Sequence, residues 1–408
     1  MFTPTLLSET SYSISPRTQA NTARAELMVA RMEDKALVGD MSYALRRSLA
    51  RLEAISTIRI EGKLPHLRSI LFLEAFLDEH DGLGDEWLSS TDALDFESES
   101  HRETALEVIR YVQTLERIYR VQQEPRLFTA KSLLNIHSIA LYGKSADETG
   151  VGFRGRPFLL AGDEAASGVY RPPDPEDIPA LIEDLCAFIN QELYAPTTQA
   201  AIAHFQLESI KPFKSGMDKT GRLMCHAIIH RRELARAIVT PIGLEPAIDT
   251  KSHAESLLPY HFGVDVANEN LAAHLDRWAD FCAWSAEVSV RAADVYLDAL
   301  LKLKDEWIER FGRPNKNSAA EALLSLLPGV PVLTANQAIR LTGKSATAVY
   351  DALARLERAG IVEALDTSQR NRVYSAPQAV SLFEQLGQRI VPEKPTARES
   401  FFPGFSVS

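Results

Sequence analysis

A chain of 408 residues, 45% hydrophobic and 24% charged, is too long for one ordinary core and has the balance of a globular protein with two or three domains. Its formal net charge of −11 excludes bulk electrostatic attraction to nucleic acid, though not a local basic patch. No run of 18 apolar residues, no basic start followed by an apolar block, and three scattered cysteines (Cys186, Cys225, Cys282) argue against a membrane span, a signal peptide and a disulfide or zinc framework. Cytoplasm is the expected location.

In chain order, residues 1–20 are rich in Ser, Thr and Pro and are expected to lack regular structure. From Ala23 to Ala75 the pattern is helical, with Leu45, Leu49 and Leu52 on one face. Gly82 to Ser100 is polar and acidic and reads as a boundary, which closes an N-terminal helical region over 1–95. Residues 96–312 read as mostly helical, with one hairpin from Arg156 through Gly and Ser-Gly turn signals to Tyr170. After the turn-rich linker Phe311–Asn317, the stretch 317–390 gives a helix at Ala319–Leu327 and a second at Thr334–Leu341 with Thr334 as N-cap. A third helix, Ser345–Ala359, is stopped by Gly360, and strands follow at Ile361–Leu365 and Arg372–Tyr374. That order is a winged helix-turn-helix. Residues 391–408 form a tail.

The third of these helices offers Ser345, Thr347, Tyr350, Arg355 and Arg358, and the wing offers Arg370 and Arg372. From 317 to 390 there are seven cations and six acidic residues, so this domain is near neutral. DNA is one candidate partner, and protein docking, including a homodimer, is the other.

The informative segment runs from Ile202 to Leu223. It reads as an apolar helix, a basic loop containing Gly216 and Gly221, and a second helix over Leu223–Leu234. Lys211, Lys214, Lys219 and Arg222 place four cations within twelve positions. A loop that turns into a helix N-terminus aims backbone N–H groups at one point, so a small anionic ligand is the expected partner. His204, His226 and His230 lie on the two helices without an evident third ligand, and packing rather than a metal is the expectation.

This segment resembles the signature of the Fic family, His-Pro-Phe-x-Asp/Glu-Gly-Asn-Gly-Arg-x-x-Arg between two core helices. Pro212, Phe213, Gly216 and Arg222 match it, Gly221 fills a position that is often Gly, and Ala203, His204, Glu208 and Ile210 fit the preceding helix. Gly150–Arg154 with Tyr170–Pro173 and Pro175–Leu185 resembles the family's flap and the helix behind it. Ser56–Gly62 resembles its inhibitory motif, with Glu61 as the glutamate. The resemblance covers roughly residues 25–375. It implies a mainly α fold: a Fic helical core with a short β-hairpin flap, followed by the winged helix-turn-helix. It also implies nucleotide with Mg²⁺ as cofactors, a protein target at the flap, and a Glu61–Arg222 pair that blocks the nucleotide.

Five positions depart from the signature. Lys211 replaces the His that acts as general base, and an ordinary lysine, at ~10.4, is protonated at neutral pH. Ser215 replaces the Mg²⁺-binding carboxylate. Met217 and Asp218 replace the Asn and Gly of the anion hole, and Lys219 replaces the first Arg, losing the bidentate fork. Phe213, Gly216, Lys219 and Arg222 remain the expected ligand-binding set. Standard AMP transfer is therefore not expected, and a regulatory role is. The alternative is reassigned chemistry, with Lys211 as base or nucleophile on a small anionic or carbonyl substrate and Ser215 and Asp218 beside it. Against that stands a Lys211 that only salt-bridges Asp218 in a vacated pocket. Residual nucleotide transfer onto a protein hydroxyl is the third reading.

Overall fold

The computed structural model describes residues 4–37, 41–77, 99–120, 127–157, 172–236, 239, 240, 242, 268–365 and 372–389. Residues 4–15 carry no helix, as expected, but they are anchored: the amides of Leu7 and Ser8 donate to Asp184 at 2.7 and 3.1 Å, and Tyr12 N–H to Tyr194 Oη at 2.7 Å. Regular structure begins earlier than the composition suggests, with α1 (Pro16–Leu37). α2 (Ser42–Ile60) buries Leu45, Leu49 and Leu52 as their spacing predicts. α3 (Leu67–Leu77) follows, and then α4 (Glu99–Arg120). The expected boundary at Gly82–Ser100 lies almost wholly outside the described residues.

The core continues with α5 (Ala130–Tyr142), which starts at a Thr129–Ser132 capping box and stops at left-handed Gly143, both ends satisfying backbone groups the helix leaves open. The one-turn α6 (Ala146–Thr149) is followed by α7 (Ile178–Asn190), α8 (Pro196–Ile210), α9 (Met217–Arg231) and the 44-residue α10 (Asn268–Phe311). α8 is buried on almost every side, its polar Thr198, Gln199 and His204 included, because it crosses the middle of the bundle with α7, α9 and α10 packed around it. Trp278 of α10 is buried there and donates its indole N–H to Ala201 O at 2.9 Å.

The C-terminal unit comprises α11 (Ala319–Leu326), β1 (Val332–Thr334), α12 (Ala335–Thr342), α13 (Ala346–Arg358), β2 (Glu363–Ala364), β3 (Val373–Ser375) and α14 (Pro377–Arg389). Ser318, Thr334 and Ser345 each accept a hydrogen bond from the amide three residues on, so all three helices begin at capping hydroxyls,. The strands form an antiparallel sheet in the order β1-β3-β2, with Leu333 and Ala364 both opposite Tyr374. β1 is the element the sequence pattern did not show. Among the described residues the molecule is mainly helical with one small sheet, which belongs to this unit. The hairpin expected at Arg156–Tyr170 falls mostly on residues outside those described, as does the tail. No described helix is long and apolar enough to cross a membrane.

Candidate functional site

α8 ends at Lys211, whose backbone is left-handed (φ 46°, ψ 59°), a conformation a non-glycine residue holds only when its surroundings fix it. Arg154 does so. Its Nε donates to Lys211 O at 2.7 Å, its backbone N–H to Pro212 O at 2.8 Å, and its Nη2 to Pro173 O at 2.5 Å. The side chain is 4% exposed, so this residue of the flap-like motif is a fixture of the loop.

Phe213 lies flat on the ring of His137 from α5, with centroids 3.6 Å apart and planes 5° from parallel. His137 Nδ1 is 2.8 Å from Thr220 Oγ1, which in turn donates to Gly216 O at 2.8 Å. The hydroxyl's single proton is committed to Gly216, so Nδ1 carries the proton of the His137–Thr220 bond. Burial pushes His137 down to about 4, which keeps the imidazole neutral. Gly216 is left-handed (φ 69°), and a Cβ there would sit 2.7 Å from Leu141 Cδ1.

The sequence pattern predicts the second helix from Leu223. The structure starts it at Met217, because the left-handed Gly216 turns the chain straight into α9. Gly221 is therefore no turn residue. It lies inside α9, where a Cβ would meet the His204 ring at 2.5 Å. Asp218 falls in the first helical turn, a favourable place for a carboxylate,.

Three of the four cations divide between two carboxylate groups: Lys211 and Arg222 bear on Glu208, while Lys219 is held by Glu61 and Glu107. Lys214 and Ser215 are exposed. Lys219 is 6% exposed, and its Nζ lies 2.7 Å from Glu61 Oε2 and 2.8 Å from Glu107 Oε2. Lys63 closes the group, 2.5 Å from Glu107 Oε1 and 3.7 Å from Glu61 Oε2. Burial works to lower Lys219, but its hydrogen bonds to Glu107 and Glu61 carry it above the ordinary lysine value. Burial likewise works to raise Glu107, and the bonds from Lys219 and Lys63 hold it below the usual carboxylate range. The partner expected for Glu61 was Arg222; the structure gives it Lys219, three residues earlier, on the side of α9 that faces α2 and α4. Arg222 is buried, and its charge bears on Tyr111, His204 and Glu208.

Glu208, one turn before Lys211, is the carboxylate whose importance the motif understated. Burial and the Asp218 charge push it up to about 7, against Lys211 and Arg222, which favour its ionised form. Its Oε1 is 4.0 Å from His204 Nε2, and neither atom has a hydrogen-bond partner among the described residues. Burial and then Arg222 push His204 down to about 3. Lys211 and Asp218 thus meet electrostatically around Glu208. Glu107, His137 and Thr220 were not anticipated, and Glu107 and His137 lie on helices distant in sequence with no local signature.

His226 packs into a buried network, its Nε2 3.3 Å from Glu53 Oε1 and its Nδ1 3.2 Å from Tyr119 Oη. His230 Nδ1 lies 3.2 Å from Ala235 O. In the C-terminal unit the Arg355 guanidinium lies 4.5 Å over the Phe311 ring, and Arg358 Nε donates to Ala354 O at 3.2 Å. Arg372 is 3.9 Å from Glu357 and over the Tyr374 ring. Arg370 is outside the described residues.

Residues 127–229 match the family model described as Fic/DOC family. A protein adenylyltransferase Fic from Aedes aegypti is 28% identical over 178 residues, 43% of this chain and 30% of that protein. Its counterpart from Culex quinquefasciatus is 29% identical over 178 residues, with the same shares. The match spans about 30% of the length of these relatives. A crystal structure of a Fic family protein from Desulfovibrio desulfuricans G20 aligns with a TM-score of 0.50 at 16% identity, covering 90% of this chain and 97% of that one. That is a likeness of fold.

Proposed function

With residues 127–229 a Fic domain, we propose that this chain is a regulatory form of the fold that binds a small anion at the loop after α8 and does not carry out standard AMP transfer. What carries this reading is the ion cluster at Lys219: a buried ammonium held at 2.7 Å by Glu61, a carboxylate delivered from the C-terminal cap of the separate helix α2. That carboxylate is an anion already seated at the loop, and a diffusible anion competes for the same cation. The N-terminus of α9 adds its positive end. Each well-placed charged hydrogen bond contributes about 1.5–3 kcal/mol, so two or three give millimolar binding or better.

A nucleotide with Mg²⁺ does not fit this donor set. Ser215 offers the metal a neutral, exposed hydroxyl where the family has a carboxylate, and Lys211 stands in place of the imidazole base,. The Asp218 charge, one step from where phosphates lie in the family, opposes them.

Incubation with labelled ATP and Mg²⁺ is expected to leave the protein unlabelled. Strong self-labelling abolished by Lys211→Ala would sink the reading. Calorimetry with inorganic phosphate is expected to show millimolar binding. Because Glu107 also holds Lys219, binding should tighten most in the double variant Glu61→Gln/Glu107→Gln, and be lost in Lys219→Met.

One observation favours a second reading, reassigned chemistry at Lys211: Glu208, pushed up to about 7 beside it, is partly protonated at neutral pH and suited to exchange a proton with an amine,. Borohydride trapping of a carbonyl compound on Lys211 tests it. For the C-terminal unit, which we read as a winged helix, the engaged Arg355 and Arg372 support a protein-docking role over DNA binding. No DNA retardation is expected at low salt; retardation weakened by Arg355→Ala with Arg358→Ala would reverse that choice.

A further inference from the structure

α2 touches both the C-terminal unit and the loop, and its contacts fall into two sets. Near its start, Ala44 lies so close to Gly329 that a Cβ on the glycine would meet Ala44 Cα at 2.5 Å. Tyr43 packs against the apolar core of the C-terminal unit. Farther along, Arg51, 1% exposed, gathers three elements. It donates to Glu74 of α3 at 3.1 and 2.6 Å and to Gly329 O at 3.1 Å, and its guanidinium lies 5.2 Å from the centre of the Phe383 ring of α14. Gln337 of α12 donates to the backbone carbonyl of the same Glu74 at 3.2 Å. A buried guanidinium so held is costly to disconnect, which makes this contact either made or broken.

The second set begins where the first ends. Glu53 and Thr57, four residues apart, share one face of the helix, and Glu61 caps the helix at its end four residues on,. Glu53 meets His226 of α9 and the Tyr111 hydroxyl of α4, at 3.3 and 3.2 Å. Thr57 Oγ1 is 3.4 Å from the Tyr111 hydroxyl, and Glu61 closes on Lys219. The 19 residues of α2 make a rod about 28 Å long without proline or glycine to bend it.

We propose that the C-terminal unit controls the loop: its docking at Gly329 and the closure of Glu61 on Lys219 are one coupled equilibrium carried by α2. A partner that lifts the unit from α2 releases Lys219 from Glu61 and leaves it to Glu107 alone, and by reciprocity an anion that displaces Glu61 loosens the docked unit,. The second half rests on the reading of the loop as an anion site; the first does not.

The test is amide hydrogen exchange on the full chain. Gly329→Ala forces the Cβ into Ala44, and Arg51→Lys keeps a charge for Glu74 while withdrawing the reach to Gly329 O. Should one of them fail to fold, the other serves. Either is expected to lower protection at least tenfold over residues 58–63 and 216–222, while Asp351→Ala on the exposed face of α13 leaves both segments unchanged. Loss confined to residues 41–51 and 327–335, or an equal loss throughout the bundle, overturns the coupling. In the same variants inorganic phosphate is expected to bind about tenfold tighter. If phosphate binds none of the variants, Glu61→Gln/Glu107→Gln included, while the exchange result holds, the anion reading fails and the coupling stands.

Discussion

The loop after α8 has a packed side and a chemical side, and they differ in what holds them. On the packed side, Phe213 lies on His137, Thr220 ties Gly216, Gly221 admits the His204 ring, and Arg154 clamps the carbonyls of Lys211 and Pro212. Each residue there is fixed by a neighbour within van der Waals or hydrogen-bond contact. On the chemical side stand Lys211, Ser215, Met217, Asp218 and Lys219, each departing from the Fic signature. Shape depends on many short contacts that must all be kept together, whereas chemistry depends on a few side-chain atoms that change one at a time. The packing of such a loop can therefore be kept while its chemical side chains vary.

The sharpest way to break this contrast is Gly221→Val. The branched side chain would overlap the His204 ring, and overpacking of this kind costs ~3 kcal/mol; urea unfolding measures it. A loss under ~0.5 kcal/mol would mean the packed side is no more constrained than the other.

Glu208→Gln comes next, and its effect depends on pH. The folded protein holds the Glu208 proton up to about 7 against an ordinary value of 4.5. The fold therefore binds more protons than the unfolded chain in that window, and the stability this contributes, present below 4.5, is lost as pH rises through 7. Glutamine, which never ionises, should raise the melting temperature at pH 8 by the equivalent of on the order of 2 kcal/mol and leave it unchanged at pH 4. Equal effects at both pH values would refute the buried-carboxylate account.

His137→Phe keeps the stack on Phe213 and removes only the bond to Thr220, so a cost of ~1 kcal/mol is expected by the same unfolding measurement. Ser215→Ala, on the exposed chemical side, should lie within ~0.5 kcal/mol of the parent. A larger effect there than at His137 would invert the comparison.

The sequence made some of this legible for local reasons. Ser318, Thr334, Ser345 and Gly360 are capping residues that act within a few positions, so the helices of the C-terminal unit could be placed closely. β1 could not, because three residues after a proline show no period and their partner strand lies some forty positions away. The start of α9 was missed because Gly216 and Gly221 look alike in a sequence. Only the packing distinguishes a left-handed cap from a glycine beneath a histidine ring. Lys219 could be read as a phosphate-binding cation but not as the partner of Glu107, which lies on a helix without a motif.

The left-handed backbone at Lys211 bears on how this position can vary over time. With φ at 46°, β-branched residues and proline are shut out by sterics, while Asn, Asp, His and Gly are the types that tolerate it best. Selection at 211 thus passes first through a conformational filter and only then through reactivity. An imidazole satisfies that filter as the lysine does, and so Lys211→His would need no rearrangement of the main chain,.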